Sequence, residues 1–227
     1  MHKTARLDEL FSKWRALESI PADRFHADGI IDEGTFEQTD VRLCFLMKEP
    51  NNPDNGGEGS SFDFREQWKN KPIYGTFASR VAEWAYGVLD RFPPYDAIWD
   101  GTAPRTAQDA IRAVALVNLN KRGGGGRSDY GQFLQLLEKD DRQVANLVRE
   151  ELDIIAPDVI ILGLSWEGLR VRVFPDVQWK PSGYGIQVGA WKGRKLIDFY
   201  HPSSRSAPPA LYCLLQKVME SEAFRAR

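Results

Sequence analysis

Apolar residues recur along the chain with two spacings that predict alternating helices and strands. Helical spacing, with an apolar residue every three or four positions, marks segments 7–17, 77–88, 130–137, 144–155 and 211–218. Short continuous apolar runs, bounded by turn residues, mark four strands at 41–47, 114–118, 159–163 and 196–200. Such runs between helices are typical of a parallel sheet covered on both faces. We therefore predict an α/β fold, a three-layer α/β/α sandwich with a mainly parallel four-stranded central sheet.

Length and composition are those of one folded domain. The chain has 227 residues, of which 42% are hydrophobic and 27% charged. No internal repeat or linker rich in proline and serine interrupts it, so we expect a single domain over residues 1–227. The longest apolar run, about six residues, is far below a membrane span, and the N-terminus is polar. We expect a cytoplasmic monomer that does not engage a membrane.

Cysteine usage bears on the compartment and on cofactors. Cys44 and Cys213 both lie in apolar stretches, and we predict two buried thiols in a reducing compartment. Two cysteines are too few for a four-cysteine zinc or iron–sulfur site. We expect no metal and no cofactor.

The distribution of charge is more informative than the net charge of −2, which neither requires nor excludes nucleic acid. Lys121, Arg122 and Arg127 flank the four-glycine loop 123–126, and Arg205 belongs to a second basic group near the C-terminal end. We predict that these residues contact nucleic-acid phosphates. The alternative is that they are ordinary solvated charges, since charge runs are weak signals.

Polar clusters follow three of the four predicted strands. Residues 48–52 follow the first strand, residues 118–121 close the second, and residues 201–205 follow the fourth. In an open α/β sheet, ligands bind beyond the carboxyl ends of the strands. We therefore expect these clusters to build one site.

The loop after the first strand begins with Glu49-Pro50-Asn51 and ends with Gly59-Ser60-Ser61-Phe62. It resembles the G-Q-D-P-Y signature of the uracil-DNA glycosylase superfamily with its downstream G-x-x-F, at the same interval from acid to phenylalanine. The resemblance places Glu49 as the water-activating acid and Phe62 as the aromatic that stacks on the base. Stacking of this kind contributes about 1–3 kcal/mol per base. The alternatives are a loop carboxylate that pairs with Lys48 and a core phenylalanine.

Asn118, at the end of the second strand, resembles the family's strand-end asparagine, which hydrogen-bonds the edge of the extruded base. An amide carries one acceptor and two donors, so it pairs with a pyrimidine edge in a fixed orientation. Because the amide can flip, the same residue can pair with uracil or with a cytosine edge. The alternative is a strand-end asparagine that satisfies a turn.

The third motif, His201-Pro202-Ser203-Ser204-Arg205, resembles the family's H-P-S-P-L-S. The match implies that His201 stabilises the departing base anion and that the following small-residue loop enters the DNA minor groove. Ser203 and Ser204 are then DNA-binding residues, and Arg205 binds a phosphate or fills the gap left by the base. The other two histidines, His2 and His26, lie outside any strand-end motif.

Three departures from the family pattern concern the substrate. Met47-Lys48 replaces the Gly-Gln that precedes the acid, and the cysteines of the iron–sulfur members are absent. The tyrosine that excludes a 5-methyl group in uracil-specific members is replaced by Asn51, which leaves room beside C5. We therefore predict a substrate-binding role for Asn51 and a pocket that admits a 5-substituted pyrimidine.

Together these features predict a DNA N-glycosylase. It flips a pyrimidine, either uracil or a 5-modified or glucosylated cytosine as in phage DNA defence, and hydrolyses the N-glycosidic bond to leave an abasic site. Two alternatives remain open. A non-catalytic module that binds modified DNA or a nucleotide would keep the pocket without needing Glu49, and a hydrolase of free nucleosides would act without DNA.

Overall fold

The computed structural model describes residues 2–17, 25–50, 62–122, 129–139 and 143–226. Within these ranges, seven strands form one mixed sheet in the order β1-β3-β2-β4-β7-β6-β5. The strands are β1 (Gly29–Ile30), β2 (Leu43–Met47), β3 (Val114–Asn118), β4 (Val159–Leu162), β5 (Lys180–Pro181), β6 (Gln187–Trp191) and β7 (Arg194–Asp198).

The described residues also form eleven helices. They are α1 (Lys3–Arg15), α2 (Glu33–Glu37), α3 (Phe64–Asn70), α4 (Gly75–Leu89), α5 (Ala97–Asp100), α6 (Ala107–Arg112), α7 (Tyr130–Glu138), α8 (Gln143–Ile155), α9 (Glu167–Val173), α10 (Pro208–Glu220) and α11 (Glu222–Arg225).

The four strands predicted from apolar runs are present and parallel to one another. β2 lies between β3 and β4, and β7 follows β4. The prediction of a four-stranded, mainly parallel sheet is nevertheless wrong in size and type, because β1 pairs with β3 and β6 with both β5 and β7 in antiparallel fashion. β1 and β5 are the two edge strands of the sheet, and β6 lies between β5 and β7. All three added strands lie outside the central parallel strands and carry no long apolar run. The α/β class is confirmed.

Side chains of the central strands alternate between two apolar layers, as the pleat of a strand requires. On one face Cys44, Leu46 and Val117 pack against α1, α7, α8 and α9. On the other face Leu43, Phe45 and Ile161 pack against α4, α6, α10 and α11. The sheet is thus covered on both faces, which explains why its central strands read as uninterrupted apolar runs.

The two cysteines differ in exposure. Cys44 lies on β2 and is buried, as predicted, whereas the prediction of a buried Cys213 is wrong, because this residue is exposed. Leu211, Leu215 and Val218 occupy the face of α10 that packs on the sheet. Cys213 falls on the opposite face of that helix. Adjacent residues of a helix point in different directions, so the apolar neighbours of Cys213 in the sequence do not imply that it is buried.

No helix among the described residues combines the length and the apolar composition that crossing a bilayer would require.

Candidate functional site

Seven of the predicted site residues in the described chain line one cleft beyond the carboxyl edge of the sheet, namely Glu49, Phe62, Asn118, His201, Ser203, Ser204 and Arg205. Chain order places β3 on one side of β2 and β4 on the other, which creates a topological switch point at this edge. The cleft is lined by Glu49 after β2, Phe62 before α3, Asn118 at the end of β3, and the segment 201–208 after β7. Four segments that are distant in sequence therefore meet, as the strand-end positions predicted.

Glu49 is positioned by a hydrogen-bond ladder that continues past the ends of β2 and β3. The Leu119 amide donates to the Met47 carbonyl over 2.9 Å, and the Asn120 amide donates to the Lys48 carbonyl over 2.8 Å. The Asn120 side chain then reaches the carboxylate, with Nδ2 3.4 Å from Glu49 Oε2. The half-buried Glu49 carboxylate is therefore held in place relative to the carboxyl ends of β2 and β3.

Lys48 does not line the cleft beside Glu49. Its ammonium lies 4.6 Å from the centre of the Trp166 ring. Burial lowers the pKa of Lys48, although the adjacent Glu49 opposes that shift. The side chains of neighbours 48 and 49 therefore point to different places.

The motif of His201 forms a turn that fixes the imidazole. The Ser204 amide donates to the His201 carbonyl over 2.8 Å, and Pro202 supplies the restricted backbone angle that such a turn favours. The Ser203 amide donates to Nδ1 of His201 over 3.2 Å, so the proton of the neutral ring lies on Nε2. Burial, and secondly the charge of Lys48, lower the pKa of His201 to about 4. At neutral pH His201 is therefore an uncharged hydrogen-bond donor.

Gly163, just after β4, allows this turn to approach the sheet. A Cβ at this position would collide with the Met47 sulfur and would lie 3.3 Å from Pro202 Cδ. The requirement is close approach, not an unusual backbone angle. The glycine thereby determines how near His201 lies to the end of β2.

An aromatic row runs along the cleft from Phe62 to His201. Phe62 contacts Phe64 at 4.4 Å between ring centroids, and Phe64 contacts Trp68 at 6.4 Å. Trp68 then contacts Phe77 at 5.8 Å, and Phe77 contacts His201 at 5.6 Å. All five rings line the cleft. This wall offers flat apolar surface for a planar group.

Phe62 is supported from behind by His26, which the sequence analysis set aside. The two rings are 4.4 Å apart, edge to face. His26 is buried, and burial lowers its pKa, with Asp28 opposing the shift. Backbone hydrogen bonds join the same segments, because Ala27 N–H donates to the Phe62 carbonyl and Phe64 N–H donates to the Ala27 carbonyl. Residues 25–28 therefore hold the start of the aromatic row in place.

Asn118 lines the cleft but is almost wholly buried, with 2% of its surface exposed. Its Nδ2 donates to Asp28 Oδ2 over 3.0 Å, and its backbone amide donates to the same oxygen over 2.8 Å. The side chain is thus fixed by a buried carboxylate that the sequence analysis did not consider.

The predicted DNA-binding role of Lys121 is wrong, because its side chain is fully buried. Its Nζ forms ion pairs with Asp28 and Glu151, which are also fully buried, and lies 5.1 Å from the centre of the Trp14 ring. Burial opposes the charge of Lys121, but the two carboxyl groups outweigh burial and raise its pKa. We refer to Asp28, Lys121 and Glu151 as the buried charge cluster.

The remaining predicted contacts with DNA are distributed unevenly. Ser203, Ser204 and Arg205 line the cleft, and Ser203 and Arg205 are exposed. Arg122 is half-buried and outside the cleft, and its backbone pairs with Phe25. Asn51, Arg127 and the glycine loop 123–126 lie outside the described residues.

The loop 203–206 is anchored by a buried arginine that the sequence analysis missed. Arg80 of α4 lines the cleft, and its guanidinium nitrogens donate to the Ser206 carbonyl over 3.4 and 3.5 Å. Arg80 also pairs with Glu83 at 3.1 Å, and Tyr95 donates to the same carboxylate over 2.8 Å. The loop after His201 is therefore tied to α4, which packs on the same face of the sheet as α10.

One missed residue had a signal in the sequence. Glu151 lies on the apolar stripe of α8, three residues after Val148 and four before Ile155. A charged residue in that position predicts a buried partner of opposite charge. Asp28 and Asn120 have no such local signal, because their contacts are set by chain segments about 70 to 90 residues away.

Among the described residues, no group of three or more His, Cys, Asp or Glu side chains is arranged to hold a metal ion. Comparison with known proteins adds no assignment, since no protein-family model matches the chain and no curated protein matches it significantly.

Proposed function

We propose that this protein is a DNA N-glycosylase that hydrolyses the bond between a flipped pyrimidine and its deoxyribose. The observation that carries the proposal is the convergence of Glu49, Phe62, Asn118 and His201 on one cleft. A carboxylate, a stacking surface, an amide and a neutral imidazole are the groups that this reaction uses. They come from four separate segments, so their meeting is a property of the fold.

The chemistry separates charge, because positive charge builds on the sugar and negative charge on the leaving base. Glu49 faces C1′ in our proposal, where its carboxylate stabilises the developing cation and orients the water that adds there. The water oxygen forms the new bond to C1′ and its proton passes to the Glu49 carboxylate, while the bond from C1′ to the base nitrogen breaks with its electron pair leaving on the base. The base anion takes a proton from solvent after it is released.

His201 serves the leaving base as a neutral donor. Because Nδ1 accepts from the Ser203 amide, the Nε2 proton is the one available for a base oxygen that gains negative charge. A preorganised donor of this kind contributes about 2.7–4 kcal/mol in other enzymes. The low pKa of His201 keeps the ring neutral, and a neutral imidazole holds its one remaining N–H proton, so it donates a hydrogen bond without transferring that proton.

Phe62 and Asn118 hold the flipped base. Stacking on Phe62 offsets the few kcal/mol that unstacking from DNA costs. Arg205 and the exposed Ser203 lie at the rim, where they meet the phosphate backbone, and binding then weakens as salt rises. The excised base, uracil or a 5-modified cytosine, decides between a role in repair and a role in phage defence.

The test is excision from oligonucleotides that carry uracil, a thymine mismatch, 5-hydroxymethylcytosine or its glucosylated form, scored as alkali-labile abasic sites. We expect abasic sites with at least one substrate, and a loss of about 100-fold or more in Glu49→Gln and in His201→Ala. Glu150→Gln is the matched control, because this exposed carboxylate of α8 pairs with Lys13 away from the cleft.

Two results would contradict the proposal. Cleavage that persists in Glu49→Gln would show that the reaction does not require the Glu49 carboxylate. Tight, salt-sensitive DNA binding without any cleavage would instead indicate the non-catalytic binding module.

A further inference from the structure

The Asn118 amide is held from behind by Asp28, which is fully buried. One carboxylate oxygen of Asp28 accepts hydrogen bonds from both the backbone amide and Nδ2 of Asn118, over 2.8 and 3.0 Å. The other oxygen pairs with Lys121. Both carboxylate oxygens are therefore engaged, and the direction of the Asn118 nitrogen is set inside the protein, on the side away from the substrate.

Because the Asn118 amide pairs with the Asp28 carboxylate, only one of its two flipped orientations is favourable. A carboxylate accepts hydrogen bonds and donates none, so the amide nitrogen must face Asp28. A flipped amide would place Oδ1 against Oδ2 of Asp28, which loses a hydrogen bond and brings two acceptors together away from water. Lys121 strengthens this preference, because its ammonium pairs with the other oxygen of Asp28 and so fixes the carboxylate itself.

The orientation matters because pyrimidines present two opposite edges. Uracil-type bases offer an acceptor at position 4 and a donor at N3, whereas cytosine-type bases offer a donor at position 4 and an acceptor at N3. An amide that rotates freely satisfies either order, as the sequence analysis assumed for Asn118. An amide fixed from behind satisfies only one order and leaves the other base with unpaired polar groups.

We propose that Asp28 is a specificity-determining positioning residue, which fixes the Asn118 amide so that the cleft reads one of the two pyrimidine edges and rejects the other. The inference rests on the proposed function, and it adds that discrimination is independent of the substituent at C5. Asp28 touches no substrate and acts only through Asn118. It lies on the segment 25–28, which also supports Phe62.

The test uses pairs of bases that share a C5 substituent and differ in the edge. These pairs are uracil and cytosine, thymine and 5-methylcytosine, and 5-hydroxymethyluracil and 5-hydroxymethylcytosine, each placed in the same oligonucleotide. Excision rates are measured with the wild-type protein and Asp28→Asn. Binding affinities are measured for Glu49→Gln and for Glu49→Gln combined with Asp28→Asn. Within each pair we expect the wild type to favour the same edge by about 100-fold or more.

Asp28→Asn is nearly isosteric but carries both a donor and an acceptor, so it releases the orientation of Asn118. We expect it to narrow the preference within each pair by about tenfold or more, mainly by improving the disfavoured base. The excision rates of the two bases in a pair are measured on the same protein sample. A fraction of unfolded protein therefore lowers both rates equally and leaves their ratio unchanged. Glu151→Gln is the matched control, because it alters the buried charge cluster without contacting Asn118, and its ratios should equal those of the wild type.

The outcomes separate the inference from the proposed function. Selective binding without excision would overturn the glycosylase and leave the role of Asp28 supported if the ratio narrows in the Asp28 variant. Equal treatment of both edges by the wild type, a ratio unchanged by Asp28→Asn, or an equal change in Glu151→Gln would overturn the inference. Failure to bind any of the six bases would overturn the inference, and failure to excise glucosylated 5-hydroxymethylcytosine as well would overturn the proposed function.

Discussion

At the scale of single residues, the protonation of His201 is the property most open to measurement. Its Nδ1 accepts a backbone hydrogen bond, and burial lowers its pKa to about 4 from the ordinary 6.5. We expect the ring resonances of His201 to stay constant from pH 8 to about pH 5 in an NMR titration. A His201 transition near pH 6.5 would contradict the assignment.

The same shift has a consequence for stability. The folded pKa lies below the unfolded one, so the unfolded chain binds the proton first as the pH falls. The free energy of unfolding should therefore decline between pH 6.5 and about pH 4 through this residue, and His201→Gln should reduce that decline.

Asn120 is expected to act through Glu49. Asn120→Ala removes the Nδ2 contact, and we expect excision to fall by about tenfold. Asn120→Asp keeps the acceptor for the Arg122 amide but sets a second carboxylate against Glu49, so excision should fall by about 100-fold. Single-turnover rates of the two variants give the comparison. Equal losses would mean that charge at position 120 is immaterial.

At the scale of elements, the sequence predicted the parts that obey a periodic rule. Strands β2, β3, β4 and β7 were found because a central parallel strand is apolar on both faces. β5 was missed because it is a two-residue exposed edge strand with a lysine and a proline, and β1 because two residues carry no pattern. The strand-end positions of Glu49, Asn118 and His201 were likewise readable. Their support by Asp28, Asn120 and Arg80 depends on tertiary contacts and had no local signal.

Helix α4 links the cleft loop to the core through Arg80 and Glu83. Arg80→Met leaves Glu83 buried beside Tyr95 without its cation, and we expect a loss of about 3 kcal/mol in the free energy of unfolding. Burial already raises the pKa of Glu83, so the loss should be larger at pH 8 than at pH 5, where the carboxyl can take a proton.

Chemical denaturation measures both values for Arg80→Met. The double variant Arg80→Met/Glu83→Leu should recover much of the stability, because it removes both charges. A double variant less stable than the single one would show that the ion pair is not the cause.

At the scale of the whole molecule, the buried charge cluster joins chain segments that are far apart in sequence. Burial raises the pKa of Glu151 well above 4.5, with Asp28 adding to the shift and Lys121 opposing it. One ammonium faces two carboxyl groups in this cluster, and Glu151 is the carboxyl whose pKa burial raises, so the cluster tolerates a neutral side chain at position 151. We therefore expect Glu151→Gln to cost less than about 1.5 kcal/mol, and Lys121→Met to cost about 3–5 kcal/mol, in denaturation at neutral pH.

The pH dependence of the cluster has a defined sign. Glu151 has a folded pKa above its unfolded value, so its contribution to stability is complete below pH 4.5 and declines as the pH rises toward the folded value. Glu151→Gln should flatten this decline. If Glu151→Gln proved as costly as Lys121→Met, the cluster would hold an ionised Glu151.

The ladder that continues past β2 and β3 has an evolutionary consequence. It joins Glu49 and Asn118 in one rigid frame, because both follow strands that are hydrogen-bonded to each other. Phe62, on the segment that leads into α3, enters the cleft from outside that frame. Substitutions and insertions in that segment can therefore alter which ligand fits without moving Glu49 relative to Asn118. A protein lineage that keeps this frame can therefore change its substrate while it retains the arrangement of Glu49 and Asn118.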